Sequence, residues 1–337
     1  MLLVYYLTII NVLAFILYGI DKKKARDDKF RIPESRLILV AVLGGAIGAL
    51  LGMVTFHHKT RKKKFRIVVP IFFAFYLAFI VFCLYSNYHL VTTEYEYKNS
   101  EVSTELDGYT IVQVSDLHNQ LFGINYSVLM DGIRKCEPDI IAVTGDVVDI
   151  SHTNFHLAES FFEETLKIAP VYYISGNHEK WLSGNKKKRY DEFIQNIKTY
   201  GVKYIDDETL DMGGFTLVGV SDWSLGSTSA NGEDNEHINK ENDGLVIMLA
   251  HEPEYIDDYS KAGADLVLSG HNHGGQIVIP GKGGLVSADF EFFPELCNGV
   301  HEKNETTMII SRGLGNSLFP FRVNNYPELV KVVLCSD

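Results

Sequence analysis

Eight side chains of metal-binding type close five short apolar runs in order along the chain. YTIVQVSD leads to Asp116 and His118, and DIIAVTGD to Asp146. VYYISGNH supplies Asn177 and His178, LVIMLAHE supplies His251, and DLVLSGHNH supplies His271 and His273. Such a set suits two divalent ions about 3.5–4 Å apart, which can share a hydroxide, lower its pKa and hold a phosphate for in-line attack. A ligand shared by both ions must be an anionic carboxylate, and Asp146 is the natural choice. Neutral imidazoles and the Asn177 amide oxygen bind metal without gathering negative charge beside an anionic substrate. Nitrogen and oxygen ligands without a thiolate favour Mn²⁺, with Fe, Zn²⁺ or Mg²⁺ as alternatives, over Ca²⁺.

These residues need elements that bring them together. The five runs read as buried strands, and the first four are separated by helix-length segments such as INYSVLMDGIRKC and FHLAESFFEETLKIA. Strands alternating with helices predict an α/β fold with a largely parallel sheet. Later runs (GFTLVGV, QIVIP, MIISRG, ELVKVVL) add strands for a second sheet. The expectation is a sandwich of two mixed β-sheets flanked by helices. Ligands in open α/β sheets bind beyond the carboxyl ends of strands, where all five runs deliver their side chains. Gly145, Gly176 and Gly270 are expected to permit the tight turns there.

The ordered set DLH (116–118), GDVVD (145–149), GNHE (176–179), AHEP (250–253) and GHNH (270–273) resembles the calcineurin-like metallophosphoesterases over about residues 95–335. GHNHGGQIVIPGKGG and SRGLGNSLFPFR look like that family's membrane-associated bacterial branch, although Asn272 stands where the branch usually has Thr. The resemblance implies that Asp116, His118 and His273 bind one ion, that Asn177, His251 and His271 bind the other, and that Asp146 bridges them. It implies a catalytic His178, acting on the phosphoryl oxygen or leaving group, with Asp149 orienting the ring and keeping it protonated. The expected activity is hydrolysis of a phosphate ester or pyrophosphate. The alternative is a non-catalytic membrane sensor or scaffold on the same fold, which would be free to lose ligands; here none is missing.

The head of the chain is different. Residues 1–86 carry 13 Lys/Arg against 4 Asp/Glu, so in a chain of net charge −12 the body, 87–337, carries −21. Apolar runs at 1–20, 37–56 and 67–86 each approach the roughly 20 residues a spanning helix needs, which predicts an all-α transmembrane domain and a multi-pass protein of the cell membrane. A cleaved signal peptide does not fit, because DKKKAR follows the first run directly. The loops DKKKARDDKFRIPE and HHKTRKKKFR hold six Lys/Arg each. Both can be cytoplasmic only if 37–56 enters and leaves on one side, through a re-entrant turn at LGGAIGALLG. That arrangement places the body outside the cytoplasm; a plain three-span bundle places it inside. YGIDKKKA, RIPE, LGGAIGALLG and HHKTRKKKF also make residues 5–84 similar to a small family of bacterial membrane proteins, from which no activity transfers.

Composition excludes some partners. A strongly acidic body repels nucleic acid. The expected partners are membrane lipids and a phosphorylated small molecule, lipid or cell-wall polymer. Cys83, Cys136, Cys297 and Cys335 lack the short spacing of a zinc knuckle or dense disulfide framework. His152, His156, His237 and His301 read as surface residues; NKKKR (185–189) reads as a solvated loop or helix start, with the gathering of an anionic substrate near the site as the alternative. Glu179 is expected to favour a helix N-terminus rather than bind metal, and Arg312 is not assigned to phosphate. The polar stretch 222–243 is expected to form a loop beside the site.

Overall fold

The computed structural model describes residues 2–221, 244–316 and 319–336. The stretch 222–243, including His237, lies outside them. The chain divides into two compact units, Met1–Leu84 and Tyr85–Asp337.

In the first unit, three helical stretches are long and apolar enough to cross a membrane: Tyr5–Arg26, Glu34–Thr55 and Lys63–Tyr88. The middle one is not a rod. Helix α1 (Leu2–Arg26) is followed by α2 (Glu34–Val40), a distorted turn at Ala41–Gly45, and α3 (Ala46–Thr55). At the turn Leu43 leaves helical geometry and Gly44 adopts φ 109°, a conformation that L side chains rarely adopt. The chain then doubles back. Lys59 Nζ, just past α3, lies 3.0 Å from Glu34 Oε1 at the start of α2; a continuous 22-residue helix would hold its ends about 33 Å apart.

Buried Asp21 on α1 gathers both ends of this hairpin. It accepts from Ile32 N at 2.9 Å and meets His58 Nε2 at 2.7 Å, Arg31 at 3.3 Å and Lys59 at 3.4 Å. The tip is fastened further along α1. Asn11 donates to Gly44 O and accepts from Gly48 N, and Tyr6 donates to Leu43 O. Asn11 and Asp21 are ten residues apart on one helix, so the hairpin is about 15 Å deep.

The second unit stacks two six-stranded sheets. The first has the order β1 (Val91–Lys98), β14 (Glu328–Cys335), β2 (Thr110–Val114), β3 (Ile140–Thr144), β4 (Val171–Ile174), β5 (Lys203–Tyr204). The second runs β12 (Gly299–Lys303), β13 (Thr306–Ile310), β9 (Leu266–Ser269), β8 (Val246–Ala250), β7 (Thr216–Val220), β6 (Thr209–Asp211), and β10 (Val278–Ile279) with β11 (Gly283–Gly284) forms a separate ribbon. Of the runs expected in the second sheet, QIVIP therefore falls in the ribbon and ELVKVVL, as β14, in the first sheet. Strands β2–β5 are mutually parallel, as are β7, β8, β9 and β13, while β14, β12 and β6 pair antiparallel with a neighbour, so both sheets are mixed.

Alternation along each strand builds the layers. Ile111, Ile140, Ile247, Leu266 and Val332 belong to one buried cluster drawn from both sheets. Their neighbours Val112, Ile141 and Val143 turn outward onto helices Ser127–Lys135, Phe155–Thr165 and Gly184–Tyr200. Met248 and Val267 turn outward onto Ile256 and Tyr259. Strands buried on both faces read as continuous apolar runs rather than alternating ones, which is why β2, β3 and β8 stand out in the sequence. One polar strut crosses the core: Gln113 Nε2, fully buried, donates to Thr144 Oγ1 and to Ser269 O, joining the sheets beneath the strand ends.

Candidate metal centre

Three of the five strand ends belong to the first sheet and two to the second. Asp116 and His118 follow β2, Asp146 and Asp149 follow β3, and Asn177 and His178 open a short helix after β4. His251 follows β8, and His271 and His273 follow β9. All nine are buried. The expected cluster therefore forms across the carboxyl edges of two sheets, with parallel strands in each pointing the same side chains upward.

Local backbone strain marks the same residues. Asp116, His118, Asp146, His271 and His273 all have φ between 47° and 69°, left-handed conformations that are uncommon for residues with a Cβ and tend to collect at functional sites. Of the three glycines assigned to tight turns, Gly145 has φ 89°, whereas Gly270 is required by proximity: a Cβ there would lie 2.0 Å from Ser115 Oγ and 2.4 Å from Asp116 Oδ2. Gly176 likewise abuts Asp146 Oδ1.

The side chains meet in two groups around Asp146. In the first, His118 Nε2 lies 3.2 Å from His273 Nε2, and His273 Nε2 lies 3.6 Å from Asp116 Oδ1. In the second, Asn177 Oδ1 is 2.9 Å from His251 Nε2 and 3.1 Å from His271 Nδ1. Asp146 Oδ2 faces both groups, 3.5 Å from His118 Nε2 and 3.4 Å from His251 Nε2. Bonds of about 2.1 Å to a tetrahedral or octahedral ion leave its ligand atoms about 3.0–3.4 Å apart, and these separations, 2.9 to 3.6 Å, bracket that range. Neutral imidazoles share too few protons to satisfy one another and the surrounding oxygens. The donor set fits divalent cations.

Electrostatics hold Asp146 and His273 in the form that binds metal, whereas, despite burial, Asp289 raises the His271 pKa. Burial raises the Asp146 carboxyl, but His251, His178 and His118 outweigh it and hold the group well below the usual range. Burial, His118 and the Arg322 guanidinium push His273 well below the ordinary histidine value, so its ring is neutral. His251 is oriented by Nδ1, 2.8 Å from Thr144 O, which turns Nε2 toward Asn177 and Asp146.

The expected pairing of Asp149 with His178 is met only in part. Asp149 Oδ2 is 3.6 Å from His178 Nδ1 but 3.3 Å from His118 Nδ1. Oδ1 is taken by the turn, accepting from Ser151 N at 2.7 Å and His152 N at 3.0 Å. His178 Nδ1 instead accepts from Ile150 N at 3.1 Å. The turn after β3 presents a backbone N–H where a carboxylate was expected, and burial drives the His178 pKa down rather than favouring an imidazolium.

Four further residues were not assigned to the site from sequence. Glu179 caps its helix as expected, accepting from Gly176 N, and also accepts from Asp146 N and Val148 N, tying two ligand loops together. Burial and Asp146 push its carboxyl up to about 8, against these three N–H donors. A Glu within GNHE, flanked by ligand positions, was the available signal. Asp289 Oδ2 lies 3.7 Å from His271 Nε2. Arg322, fully buried, donates to Arg312 O and Gly315 O and reaches within 3.5 Å of His273 Nδ1. Asn272 holds the segment that carries Asp289, donating to Leu296 O and accepting from Ala288 N. Asn272 lies within GHNH and Arg322 closes SRGLGNSLFPFR, but neither motif announces these roles, and no local pattern announces Asp289.

Several blander expectations are met. His152 and His156 are exposed, and Arg312 is engaged by Glu328 at 2.7 Å. NKKKR lies in the first turns of helix Gly184–Tyr200, with Lys187 paired to Asp191; Lys186 reaches Ile150 O at the site's edge. The four cysteines are free thiols.

Comparison with known proteins gives two family matches. Residues 109–275 match the family described as calcineurin-like phosphoesterase, and residues 11–65 match one described as protein of unknown function (DUF1294). The metallophosphoesterase YkuE of Bacillus subtilis is 27% identical over 260 residues, 75% of this chain and 88% of that one. The phosphodiesterase YaeI of Escherichia coli is 26% identical over 237 residues, 67% and 82% respectively. The protein YsdA of Bacillus subtilis is 48% identical over 71 residues, 21% of this chain and 80% of its own length.

Proposed function

The chain belongs to the calcineurin-like phosphoesterases through residues 109–275, and on that premise we propose that it hydrolyses a phosphate ester or pyrophosphate of a membrane- or envelope-associated substrate, using two divalent ions of which Mn²⁺ is the first choice. It is a metal-dependent phosphoesterase by family and by its clusters of ligand side chains. The observation that carries the finer reading is Asp146, whose Oδ2 faces His118 in one group and His251 in the other.

Asp116, His118 and His273 are the residues to hold one ion; Asn177, His251 and His271 hold the second, and Asp146 is common to both. When bound, such ions lower the pKa of water and neutralise charge developing on the phosphoryl oxygens. The protein's own part is orientation and proton placement. With Ile150 N–H donating to Nδ1 of His178, the neutral ring carries its proton on Nε2, an assignment that rests on the hydrogen-bond pattern. From there His178 donates to a phosphoryl oxygen or the leaving group. Asp149 is a positioning residue for His118, whose Nδ1 lies 3.3 Å from Asp149 Oδ2.

The membrane reading rests on the hairpin. Glu34, Lys59 and Asp21 meet at one end of the first unit, so the two basic loops share a side. By the positive-inside tendency that side is cytoplasmic. The helix Lys63–Tyr88 then crosses once more and carries the catalytic body to the outside. A protease applied to intact cells should digest the body; full protection would rule this topology out.

The catalytic reading is tested with the purified full-length chain, Mn²⁺ and a p-nitrophenyl phosphate ester. Asp146→Ala should lower kcat by about 10³-fold or more, on the scale of losing a principal electrostatic element of a site, and should lower bound metal. A rate unchanged by that substitution or by chelation would sink the reading.

A further inference from the structure

The metal-ligand edge forms the floor of a cavity of about 350 Å³ whose walls are largely apolar. Ile150, Trp181, Ala288, Phe290 and Phe319 line it, with Asp289 as the wall's carboxylate. Large aromatic rings seldom stand in water, yet here they ring the opening: Phe290 is 62% exposed, Trp181 55% and Phe319 38%. Singly exposed apolar residues need no explanation, but a group of them around a functional cavity does.

This wall is built, not slack. The segment 285–298 is pinned at both ends by Asn272, which binds Ala288 N at 3.2 Å and Leu296 O at 2.8 Å and reaches Glu254 at 2.6 Å. A second set of bonds closes it internally: Ser287 N to Glu291 O, Glu291 N to Ser287 Oγ, and Phe293 N to Leu285 O. Phe290 is held at φ 64°, a strained conformation for a bulky residue that persists only where its surroundings over-determine it. An amide supplies donors and an acceptor at once, which a threonine hydroxyl in the same place would not match in reach. Asn272 thus fixes Phe290 in the cavity wall before any ligand arrives, and pre-organisation of this kind favours whatever fits the wall.

Charge narrows what fits. Among the described lining residues there is no lysine or arginine, and Asp289 adds a negative charge beside His271. A phosphate on the metal-ligand edge is served, while a second phosphate along the wall meets rings and the Asp289 carboxylate, and the polar lining beyond that edge comes down to Gln276, Ser287 and Asp289. We propose that the site is specific for a single phosphate bearing an apolar organic group, which lies against Phe290, Trp181 and Phe319. The proposal rests on the hydrolase reading above and narrows it.

The test compares three esters sharing one leaving group, with the full-length chain in lipid nanodiscs and Mn²⁺. They are p-nitrophenyl methyl phosphate, p-nitrophenyl hexyl phosphate and the p-nitrophenyl ester of thymidine 5′-monophosphate. The hexyl ester should exceed the methyl ester in kcat/KM by about tenfold or more, because buried methylenes add transition-state binding. The thymidine ester should not exceed the hexyl ester. Phe290→Ser, at an exposed position, should reduce the hexyl-to-methyl ratio to about threefold or less. Equal rates for hexyl and methyl esters, or preference for the thymidine ester, overturn the proposal while leaving the hydrolase reading intact. No turnover of any ester strikes the hydrolase reading; the substrate proposal is then decided by calorimetric binding of hexylphosphonate against methylphosphonate. A tenfold preference for the hexyl compound supports it, and equal affinity overturns it.

Discussion

Two polar clusters, one in each unit, both set buried aspartate against histidine and do opposite things. In the first unit Asp21 lies among His58, Lys59, Arg31 and the Ile32 N–H. Its charge is answered several times over, and Glu34 shares Lys59. In the second unit, nitrogen faces nitrogen at 3.2 Å between His118 and His273, and carboxylates meet imidazole rings rather than lysines. The first cluster is complete and acts as a clasp for the hairpin. The second has one guanidinium, Arg322, at its margin and no cation between the carboxylates and the rings, where divalent ions would fit. Burial and an aspartate–histidine pairing do not distinguish a structural cluster from a ligand site; the balance of donors, acceptors and charge does.

Removing a partner breaks the two clusters differently. Asp21→Ala removes the carboxylate shared by His58 and Lys59, leaving Lys59 to Glu34 alone, and breaking a buried ion pair from one side is strongly destabilising. We expect a loss of roughly 3 kcal/mol in the first unit, seen as faster hydrogen exchange across 31–59. Unchanged exchange there would mean that the clasp is ornamental. Metal sharpens the contrast from the other side. At about 100 times Kd, Mn²⁺ should stabilise the second unit by about 2.7 kcal/mol and leave protection of 31–59 unaltered. Equal protection of both units would erase the distinction.

A smaller effect belongs to Glu179, whose carboxylate ties Asp146 N, Val148 N and Gly176 N. Glu179→Gln replaces an acceptor with an amide donor and should lower metal affinity about 10-fold, as loss of outer-shell partners does. Metal titration by calorimetry measures it. The smallest effect is one of pH. Despite burial, His118 and Ser151 hold Asp149 below the ordinary carboxylate value of 3.8. A depressed carboxyl stabilises the fold above that value, and the contribution is lost as pH falls through the folded-state pKa. The melting temperature of the metal-free protein should therefore drop below about pH 4, and Asp149→Asn should flatten that drop. A parallel curve for the variant would remove Asp149 from the account.

Sequence by itself determined the ligand types, the five strands that carry them and the apolar stretches of the head. Each is a local property: metal chemistry dictates residue type, doubly buried strands show as apolar runs, and about 20 apolar residues suffice to define a spanning segment. It also carried a hint of the hairpin, since two basic loops of equal charge are awkward on opposite faces of a membrane. Tertiary structure decided the partners. It joined three strand ends of one sheet to two of another, let Ile150 N–H take the place expected for Asp149 at His178, and brought Glu34 to Lys59. It set Asn272, Asp289 and Phe290 as a fixed wall over the metal-ligand edge. Those relations depend on which groups meet through space after the chain has turned, and residue identity along a line does not contain that distance. The residues able to do the chemistry were legible in the sequence; the company they keep was not.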